Sequence, residues 1–390
     1  RVNSARVRPL SYKITPDCVG DTVTFSLSRP RNLSVEVNGD IFHNLHLFAN
    51  PIDKFRPSDK EIQRALKKKK GSNLIYFGPG VHNLPNDTLF VPSGTTVYID
   101  GGARVYGNIF TEGAHDVNIF GRGEVHPDGR GAGVWVRRSK NVRIDGIVVS
   151  QLPIGQCDSV ELTNVKSISY YGWGDGMDVF SSSNVILDGV FCRNSDDCAA
   201  VYASTQGFKG GSNNVLVKNA TLWADVAHPI NIGGHGDPNG MDTVQNVTFR
   251  NIDILDQAEK QIDYQGCLAI NPGDNTLVRN ITFENIRIED FRNGQLVNFR
   301  ISFNPKYCVS TGRGIQNVLV KDVTYNGSGE NLSIIAGYDE NHKISGIRFV
   351  NLVVNGRKIT DDMPGKPKWY KTGDMAGIFV GEHVENLSFE

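Results

Sequence analysis

Asn214-Val215-Leu216-Val217 is one copy of a short phrase that recurs through the second half of the chain. Each copy starts with Asn followed by Val or Ile and leads into a segment in which apolar and polar residues alternate. Alternation with a period of two is the pattern of a half-buried β-strand. The other copies begin at Asn141, Asn164, Asn184, Asn246, Asn280 and Asn317.

The spacing of these copies indicates how the strands pack. It grows from 20 residues between Asn164 and Asn184 to 37 residues between Asn280 and Asn317. A unit this short cannot bury its own apolar face, so it must stack on its neighbours. The sequence therefore predicts an all-β fold, a right-handed parallel β-helix with loops of unequal length beside a groove. A β-sandwich is the alternative, but it does not explain the recurring phrase.

The first 50 residues have a different pattern, with short strands separated by Pro, Gly and Asp turns. The strand candidates are Ser11–Ile14, Thr22–Leu27 and Leu33–Val37. We expect a small antiparallel β domain over residues 1–50 and a parallel β-helix catalytic domain over residues 51–390. The clearest helical segment is Asp59–Lys70.

Charge and composition limit the classes of partner. The 390 residues include 41 Lys and Arg against 42 Asp and Glu, so no net field attracts nucleic acid or an anionic membrane. No apolar run is long enough to span a membrane. The chain begins at Arg1 rather than Met, which fits either a processed product or a trimmed sequence. We expect a protein that is secreted or periplasmic. We also expect a monomer.

The six cysteines show neither a CxxC motif nor a Cys/His spacing typical of a metal site. We therefore expect no metal and no other cofactor. Cys192 and Cys198 allow two interpretations, a disulfide beside the acidic residues described next or two buried free thiols.

Three aspartates form the most distinctive cluster. Gly174-Asp175-Gly176 is followed by Asn194-Ser195-Asp196-Asp197-Cys198, and 21 residues separate Asp175 from Asp196. If this distance is one coil, Asp175 and Asp196 lie on adjacent coils, about 4.8 Å apart along the strand stack. A bend is needed to direct both Asp196 and Asp197 into one groove, because consecutive strand residues point to opposite sides.

Clustered carboxylates suit glycosidic bond cleavage. They raise one another's pKa, and the carboxyl that is best shielded from water keeps its proton, which places an acid beside a base. An inverting glycosidase needs such a pair with room for water. An Asp in such a segment can also cap a turn, and Asp178 is an alternative to Asp175.

These segments resemble glycoside hydrolase family 28, the polygalacturonases, which carry Asn-Thr-Asp-Gly and then Asp-Asp-Cys one coil later. The resemblance implies Asp196 as the general acid and Asp175 and Asp197 as the residues that activate water. Trp173-Gly174 stands here in place of the family's Asn-Thr.

Two histidines compete for the family's next marker, a Gly-His-Gly. Gly234-His235-Gly236 matches it literally, whereas Ala227-His228-Pro229-Ile230-Asn231 matches the spacing better. We favour His228 as the groove histidine, a partner for substrate or for a catalytic Asp, with His235 and Asn231 as further substrate-binding candidates. The alternative role for either histidine is a turn cap.

The family's Arg-Ile-Lys motif, which binds the galacturonate carboxylate, is absent. Cys267-Leu268-Ala269-Ile270-Asn271 occupies that position without a cation, and a buried carboxylate without a cationic partner is costly. Asn271 is a candidate substrate contact, and Arg300 or Lys260 is the candidate cation, unless each is a solvated surface charge. The missing motif favours a neutral α-glucan, whereas Asp-Asp-Cys favours pectin.

A second resemblance covers the start of the chain. Its segments are similar to glycoside hydrolase family 49, the dextranases and isopullulanases, which have an N-terminal β domain ahead of a β-helix. The matching segments are Val7–Tyr12, Leu33–Val37, Leu47–Pro51 and Leu74–Val81.

Aromatic residues near the aspartates are candidate sugar platforms, because flat rings stack on apolar sugar faces. Trp173 flanks Asp175, and we assign Tyr202 and Trp223 to the same coils as the aspartates, with core packing as the alternative for Trp223. The sequence predicts an inverting glycoside hydrolase that cleaves α-glycosidic bonds in a polysaccharide or its oligosaccharides. A non-catalytic carbohydrate-binding or adhesin-like β-helix is the alternative from another class, and a polysaccharide lyase is a third.

Overall fold

The computed structural model describes residues 1–67, 71–127, 129–328 and 330–390. The described part begins with a small antiparallel unit. Its five strands are β1 (Ala5–Arg8), β2 (Asp17–Val19), β3 (Thr22–Thr24), β4 (Arg31–Val37) and β5 (Asp40–Ala49). Strands β1, β4 and β5 form one antiparallel sheet, and β2 and β3 form a hairpin.

Two of the N-terminal strand predictions need correction. Leu10–Tyr12 is a 3-10 helix, so the predicted strand at Ser11–Ile14 is wrong, and the predicted strand at Thr22–Leu27 ends at Thr24. The apolar residues of that second segment are still used, because Phe25 and Leu27 pack against the buried side chain of Leu33 and its neighbours.

Helix α1 (Asp59–Leu66) connects this unit to the coils. It starts at a capping box, in which the Ser58 hydroxyl accepts from the Glu61 backbone N–H and the Glu61 carboxylate accepts from the Ser58 backbone N–H. The predicted helix extended to Lys70, and residues 68–70 lie outside the described part. No helix in the described residues has the length and apolarity needed to cross a membrane.

In the rest of the described chain the regular elements are β-strands, apart from 3-10 helices at Ile262–Tyr264 and Thr372–Ala376. In chain order the strands are β6 (Leu74–Phe77), β7 (Gly80–Phe90), β8 (Thr96–Ile99), β9 (Ala103–Glu112), β10 (His115–Gly121), β11 (Glu124–His126), β12 (Val134–Arg137), β13 (Lys140–Asp145), β14 (Val148–Val149), β15 (Ile154–Gly155), β16 (Asp158–Thr163), β17 (Lys166–Ile168), β18 (Met177–Phe180), β19 (Ser183–Asp188), β20 (Phe191–Asn194), β21 (Ala199–Tyr202), β22 (Ser212–Lys218), β23 (Thr221–Ala224), β24 (Ile230–Ile232), β25 (Thr243–Gln257), β26 (Leu268–Ile270), β27 (Leu277–Ile288), β28 (Gly294–Gln295), β29 (Val297–Arg300), β30 (Gly314–Tyr325), β31 (Glu330–Asn331), β32 (Ser333–Ala336), β33 (Lys343–Val354), β34 (Arg357–Ile359), β35 (Ile378–Val380) and β36 (Val384–Phe389).

These strands form three parallel stacks, one for each face of the coil. The first stack runs from β6 and β8 through β19 and β22 to β36. The second runs from β7 through β17, β20 and β23 to the second halves of β25, β27, β30 and β33. The third stack contains β12, β15, β18, β21, β24, β26, β29, β32 and β35 in that order. The predicted parallel β-helix is therefore confirmed, and the β-sandwich is excluded.

Columns of aliphatic side chains fill the inside of the coils. Val160, Val185, Val215, Val247 and Ile281 are paired in register on successive coils, and each is at most 1% exposed. Each coil thus buries its apolar face against the next. This burial stabilises the fold by about 25 cal/mol for each Å² of apolar surface removed from water.

The recurring Asn marks a bend in the chain rather than a simple strand start. Asn184, Asn214, Asn246 and Asn280 have φ between 55° and 57°, the left-handed region that Asn tolerates better than most residues. Their side chains also bond along the stack, with Asn214 Nδ2 donating to Asn184 Oδ1 at 2.7 Å and Asn280 Nδ2 to Asn246 Oδ1 at 3.1 Å.

One copy of the phrase was assigned to the wrong bend. Lys140 pairs with Asp158, and Asp158 pairs with Ser183, so the coil between Asn141 and Asn184 turns at Ser159, where φ is 60°. Asn164 lies at the following bend, where its backbone N–H donates to Asp188.

Buried ion pairs join the antiparallel unit to the β-helix. Arg8, which is 3% exposed, donates from Nη1 to Glu36 at 3.0 Å and from Nε to Glu289 at 2.7 Å. Its Nη2 also donates to the carbonyl of Leu255. Since Glu36 belongs to β4 and Glu289 directly follows β27, one guanidinium connects the two regions.

Candidate active site

The register of the third stack places two of the three candidate catalytic aspartates and one candidate histidine in one column. Met177 pairs with Ala199, and Ala199 pairs with Ile230. The residues two positions earlier, Asp175, Asp197 and His228, therefore occupy equivalent places on three successive coils. The sequence predicts Asp196 beside Asp175. In the structure the coil is one residue longer than this prediction assumes, so Asp197 takes that place.

Two glycines allow the backbone of these coils to approach closely. The Gly176 N–H donates to the Asp197 carbonyl at 2.7 Å, and the Cys198 N–H donates to the His228 carbonyl at 2.9 Å. A Cβ on Gly176 would lie 2.2 Å from the Cys198 carbonyl oxygen, and one on Gly174 would lie 2.4 Å from Ser195 Oγ. The Gly-Asp-Gly segment is therefore required for the Asp175 carboxyl to reach the column.

Asp197 is held as a carboxylate. Its Oδ1 accepts from His228 Nδ1 at 2.7 Å and from the His228 backbone N–H at 3.1 Å. Its Oδ2 accepts from the Tyr202 hydroxyl at 2.6 Å and from Asn231 Nδ2 at 2.8 Å. Burial on its own raises the pKa of Asp197, but the charge and hydrogen bonds of His228 and the bonds from Tyr202 and Asn231 outweigh it, so the pKa is lowered.

The pKa values of Asp196 and Asp175 are shifted upward, opposite to the shift of Asp197. Burial raises the pKa of Asp196 to about 8, and the charges of Asp197 and Asp175 add to the rise. Burial and the charge of Asp197 raise the pKa of Asp175 to about 7, although hydrogen bonds from Asp178, Asp196 and the Asp197 backbone oppose the rise. At neutral pH the cluster therefore combines a protonated Asp196 with an ionised Asp197 and a partly ionised Asp175.

A cavity of about 410 Å³ opens above this column. Most of the residues predicted from the sequence to act in catalysis or substrate binding line it, among them Trp173, Asp175, Asp196, Asp197, His228, Asn231, His235 and Asn271. Arg300 does not line it. Its guanidinium pairs with Asp263, and its carbonyl accepts from Asn271 Nδ2 at 3.3 Å.

The two histidines have different surroundings. His228 is 2% exposed and bonded to Asp197, whereas its Nε2 has no partner in the described residues. The ring of His235 lies edge-on to Tyr202 with centroids 5.0 Å apart, and burial lowers its pKa. A neutral His235 can donate or accept a hydrogen bond at the cavity wall.

The three candidate sugar-stacking residues also differ in their exposure and contacts. Trp173 is 73% exposed and lines the cavity, as expected of a ring that stacks on sugar. Tyr202 is buried against Phe180, and its hydroxyl donates a hydrogen bond to Asp197. Trp223 is fully buried and does not line the cavity. The guanidinium carbon of Arg193 lies 4.0 Å from the centroid of the Trp223 ring.

Sequence reasoning missed one wall of the cavity. Glu259, Tyr264, Lys306 and Tyr307 line it from two loops, after β25 and after β29. The Lys306 ammonium lies 5.7 Å from the Tyr264 ring centroid and 4.8 Å from that of Tyr307. The one available signal was length, because the spacing from Asn280 to Asn317 is the longest of the series.

Lys306 is the single Lys or Arg among the described residues that line the cavity. Lys260, the other predicted cation besides Arg300, is exposed and does not line it. All six cysteines are free thiols, so Cys192 and Cys198 follow the second of the two interpretations given above.

A parallel β-helix with a cluster of buried carboxyls in a cavity on one face defines the class of carbohydrate-active β-helix proteins. Residues 134–363 match the family described as Glycosyl hydrolases family 28. The chain belongs to that family.

The comparisons with individual proteins agree with this assignment. A polygalacturonase from Juniperus ashei is 26% identical over 295 residues, which are 67% of this chain and 54% of that protein. The chain spans about half the length of the curated relatives it matches.

Two solved structures share the fold. A family 28 exopolygalacturonase from Yersinia enterocolitica superposes with a TM-score of 0.59 and 13% identity, covering 94% of this chain and 85% of its own. Dex49A from Penicillium minioluteum superposes with a TM-score of 0.62 and 14% identity, covering 98% and 78%. Both resemblances expected from the sequence, to family 28 and to family 49, are thus confirmed.

Proposed function

We propose that this chain is an inverting glycoside hydrolase that cleaves α-glycosidic bonds in a polysaccharide or its oligosaccharides. The observation that carries the proposal is the contrast between two adjacent carboxyls in the cavity: His228, Tyr202 and Asn231 donate four hydrogen bonds to Asp197, whereas Asp196 accepts one, from the Asp197 backbone N–H. The pKa of Asp196 is accordingly raised to about 8 and the pKa of Asp197 is lowered. An acid and a base side by side at neutral pH are the requirement of this reaction.

The reaction follows from these states. Asp196 donates its proton to the glycosidic oxygen as the bond from that oxygen to the anomeric carbon breaks. Water attacks the anomeric carbon from the opposite face, and Asp175 and Asp197 accept the proton that it releases. The products are two free sugar ends, and Asp196 regains its proton from Asp175 or Asp197 through solvent. Inversion requires the acid and the base to be roughly 6.5–9.5 Å apart when water and sugar are bound.

The substrate we propose first is a pectic galacturonan, because the named relatives are polygalacturonases and Lys306 offers a cation inside the cavity. A neutral α-glucan is the second candidate. It is favoured by the absence of a cation on β26 and by the Glu259 and Asp263 carboxylates in the cavity. We further propose that the protein acts as a monomer outside the cell or in the periplasm, where such polymers are found.

Replacing Lys306 with Met separates the two substrates. On polygalacturonate we expect kcat/KM to fall by about 10- to 100-fold, since a hydrogen bond between ions contributes about 1.5–3 kcal/mol. On dextran or pullulan we expect no change. Lys209→Met is the matched control, because Lys209 is exposed and pairs with Asp237 outside the cavity. A digest of polygalacturonate, dextran, pullulan and rhamnogalacturonan by each variant gives the comparison.

The pH profile of kcat/KM is a second test. Asp175 must be ionised to accept a proton, so activity rises as the pH increases through its pKa of about 7. Asp196 must keep its proton, so activity falls as the pH passes its pKa of about 8. We expect a maximum between these values, and a maximum below about pH 5 would contradict the assignment of Asp175 and Asp196.

Two results of these digests would contradict the proposal. Binding of one of these glycans with no increase in reducing ends over days of incubation would indicate a non-catalytic carbohydrate-binding β-helix. A polysaccharide lyase would instead give an unsaturated product that absorbs in the ultraviolet.

A further inference from the structure

A fourth carboxyl lies behind the cavity. Asp178 is on β18, is 4% exposed and does not line the cavity. It pairs in register with Ala200, which pairs with Asn231, so it belongs to the column next to that of Asp175, Asp197 and His228. It is neither the proposed acid nor one of the proposed water-activating residues, although the sequence allows it as an alternative to Asp175.

The surroundings of Asp178 do not suit a charged group. Its Oδ1 has no hydrogen-bond partner in the described residues. The titratable groups that face it are carboxyls on the cavity side, a phenol and a thiol, and none of them is a cation: Asp175, Asp196, Asp197, Tyr202 and Cys192. A buried carboxylate without a cation or a donor is strongly disfavoured.

The neighbouring carboxyl of Asp175 resolves this difficulty. Asp175 lies just before β18, which carries Asp178, and the two carboxyl groups interact. A hydrogen bond between them needs one proton, since ionised carboxylates only accept. Asp175 lines the cavity, whereas Asp178 is enclosed and its Oδ1 has no partner in the described residues. The proton therefore belongs to Asp178.

We propose that Asp178 is a positioning residue that stays a neutral carboxylic acid throughout the reaction and donates its proton in a hydrogen bond to Asp175. This inference rests on the proposed function of Asp175 as a base. The donated bond orients the Asp175 carboxylate toward the attacking water. It also stabilises the ionised form of Asp175 against burial and against the charge of Asp197.

Burial and the neighbouring carboxylates raise the pKa of Asp178 well above its usual value, which agrees with a neutral acid. The bond from Asp178 has the opposite effect on Asp175, because a donor stabilises the charged form and lowers its pKa. The position of the acid limb of the pH profile therefore depends on the donor at Asp178.

Two substitutions test the donor. Asp178→Asn keeps an N–H donor of the same shape, so we expect kcat within about threefold of the wild type and an unchanged acid limb of kcat/KM. Asp178→Leu removes the donor while filling the space. We expect its acid limb to move up by about one pH unit, since a bond to a charged group corresponds to at least that shift, with about tenfold lower activity at pH 6. Thermal unfolding of both variants checks that each is folded.

Other outcomes would overturn the proposal. If Asp178 were ionised, Asp178→Asn would remove a negative charge, and both limbs of the profile would move to lower pH. A 100-fold loss of kcat in Asp178→Asn would make Asp178 a reacting group. A folded Asp178→Leu variant with an unmoved acid limb would leave it a purely structural role.

Infrared spectroscopy of protein labelled with ¹³C-aspartate decides the protonation state without any substrate. At about pH 9 the wild type should retain the carbonyl band of a neutral carboxyl, and Asp178→Asn should lose it. Identical spectra would contradict the proposal. Because this result does not depend on turnover, a wild type that hydrolyses no glycan would refute the proposed function alone.

Discussion

Asp196→Asn should lower kcat by about 10²- to 10⁴-fold on whichever glycan the wild type hydrolyses, because the variant cannot donate a proton to the leaving oxygen. Asn has nearly the same shape as a protonated Asp, and Asp196 accepts one hydrogen bond here, from the Asp197 backbone N–H at 3.0 Å. KM and the thermal unfolding midpoint should therefore change little. Initial rates of reducing-end release give kcat, and differential scanning calorimetry gives the midpoint.

Asp188→Asn is the matched control for this experiment. Asp188 ends β19, pairs with Lys218 and does not line the catalytic cavity, so its substitution should leave kcat unchanged. A wild-type rate in Asp196→Asn would contradict the assignment of the general acid. Equal losses in both variants would show that the loss comes from handling of the protein rather than from chemistry.

Arg8→Met should lower the free energy of unfolding by about 3–5 kcal/mol, the usual cost of removing one partner from a buried ion pair. The substitution leaves Glu289, which is 9% exposed, without its guanidinium partner, and it leaves Glu36, which is 1% exposed, paired with Arg6 alone. It also removes the donor to the Leu255 carbonyl. Urea unfolding followed by tryptophan fluorescence measures the loss.

Arg6→Met is the control for the Arg8 experiment. The Arg6 side chain is 50% exposed and pairs with the same Glu36, so its loss should cost less than about 1 kcal/mol. Equal costs for the two variants would show that Arg8 is no more important than a surface arginine. A separate early transition in Arg8→Met would show that the antiparallel unit detaches from the coils.

The sequence predicts the coils well because each local preference repeats. The alternating strands and the Asn bends supply the same signal on many coils, so the misplaced Asn164 did not change the fold assignment. Local structure in segments that do not repeat is predicted less well. The Ser11–Ile14 segment has strand-like residues but forms a 3-10 turn, because Pro9 and the buried contacts of Arg8 fix the chain on its N-terminal side.

In the candidate site too, the residues on repeating coils are predicted from the sequence and the residues on loops are not. Asp175, Asp196 and Asp197 are recognisable because the coil length brings them together, although the register places Asp197 rather than Asp196 opposite Asp175. Lys306 and Glu259 were missed because the loops that carry them have no repeat. The proton on Asp178 depends on burial and on one contact with Asp175, neither of which sequence spacing reveals.

The most direct test of the central claim, that Asp196 acts as the acid while Asp175 and Asp197 activate water, is the configuration of the first product. Proton NMR during the initial minutes of hydrolysis of an α-linked substrate resolves the two anomers before they interconvert. Inversion predicts that the β-anomer forms first and that the α-anomer accumulates only through mutarotation. An α-anomer as the first product would mean retention through a covalent intermediate, and it would contradict the account.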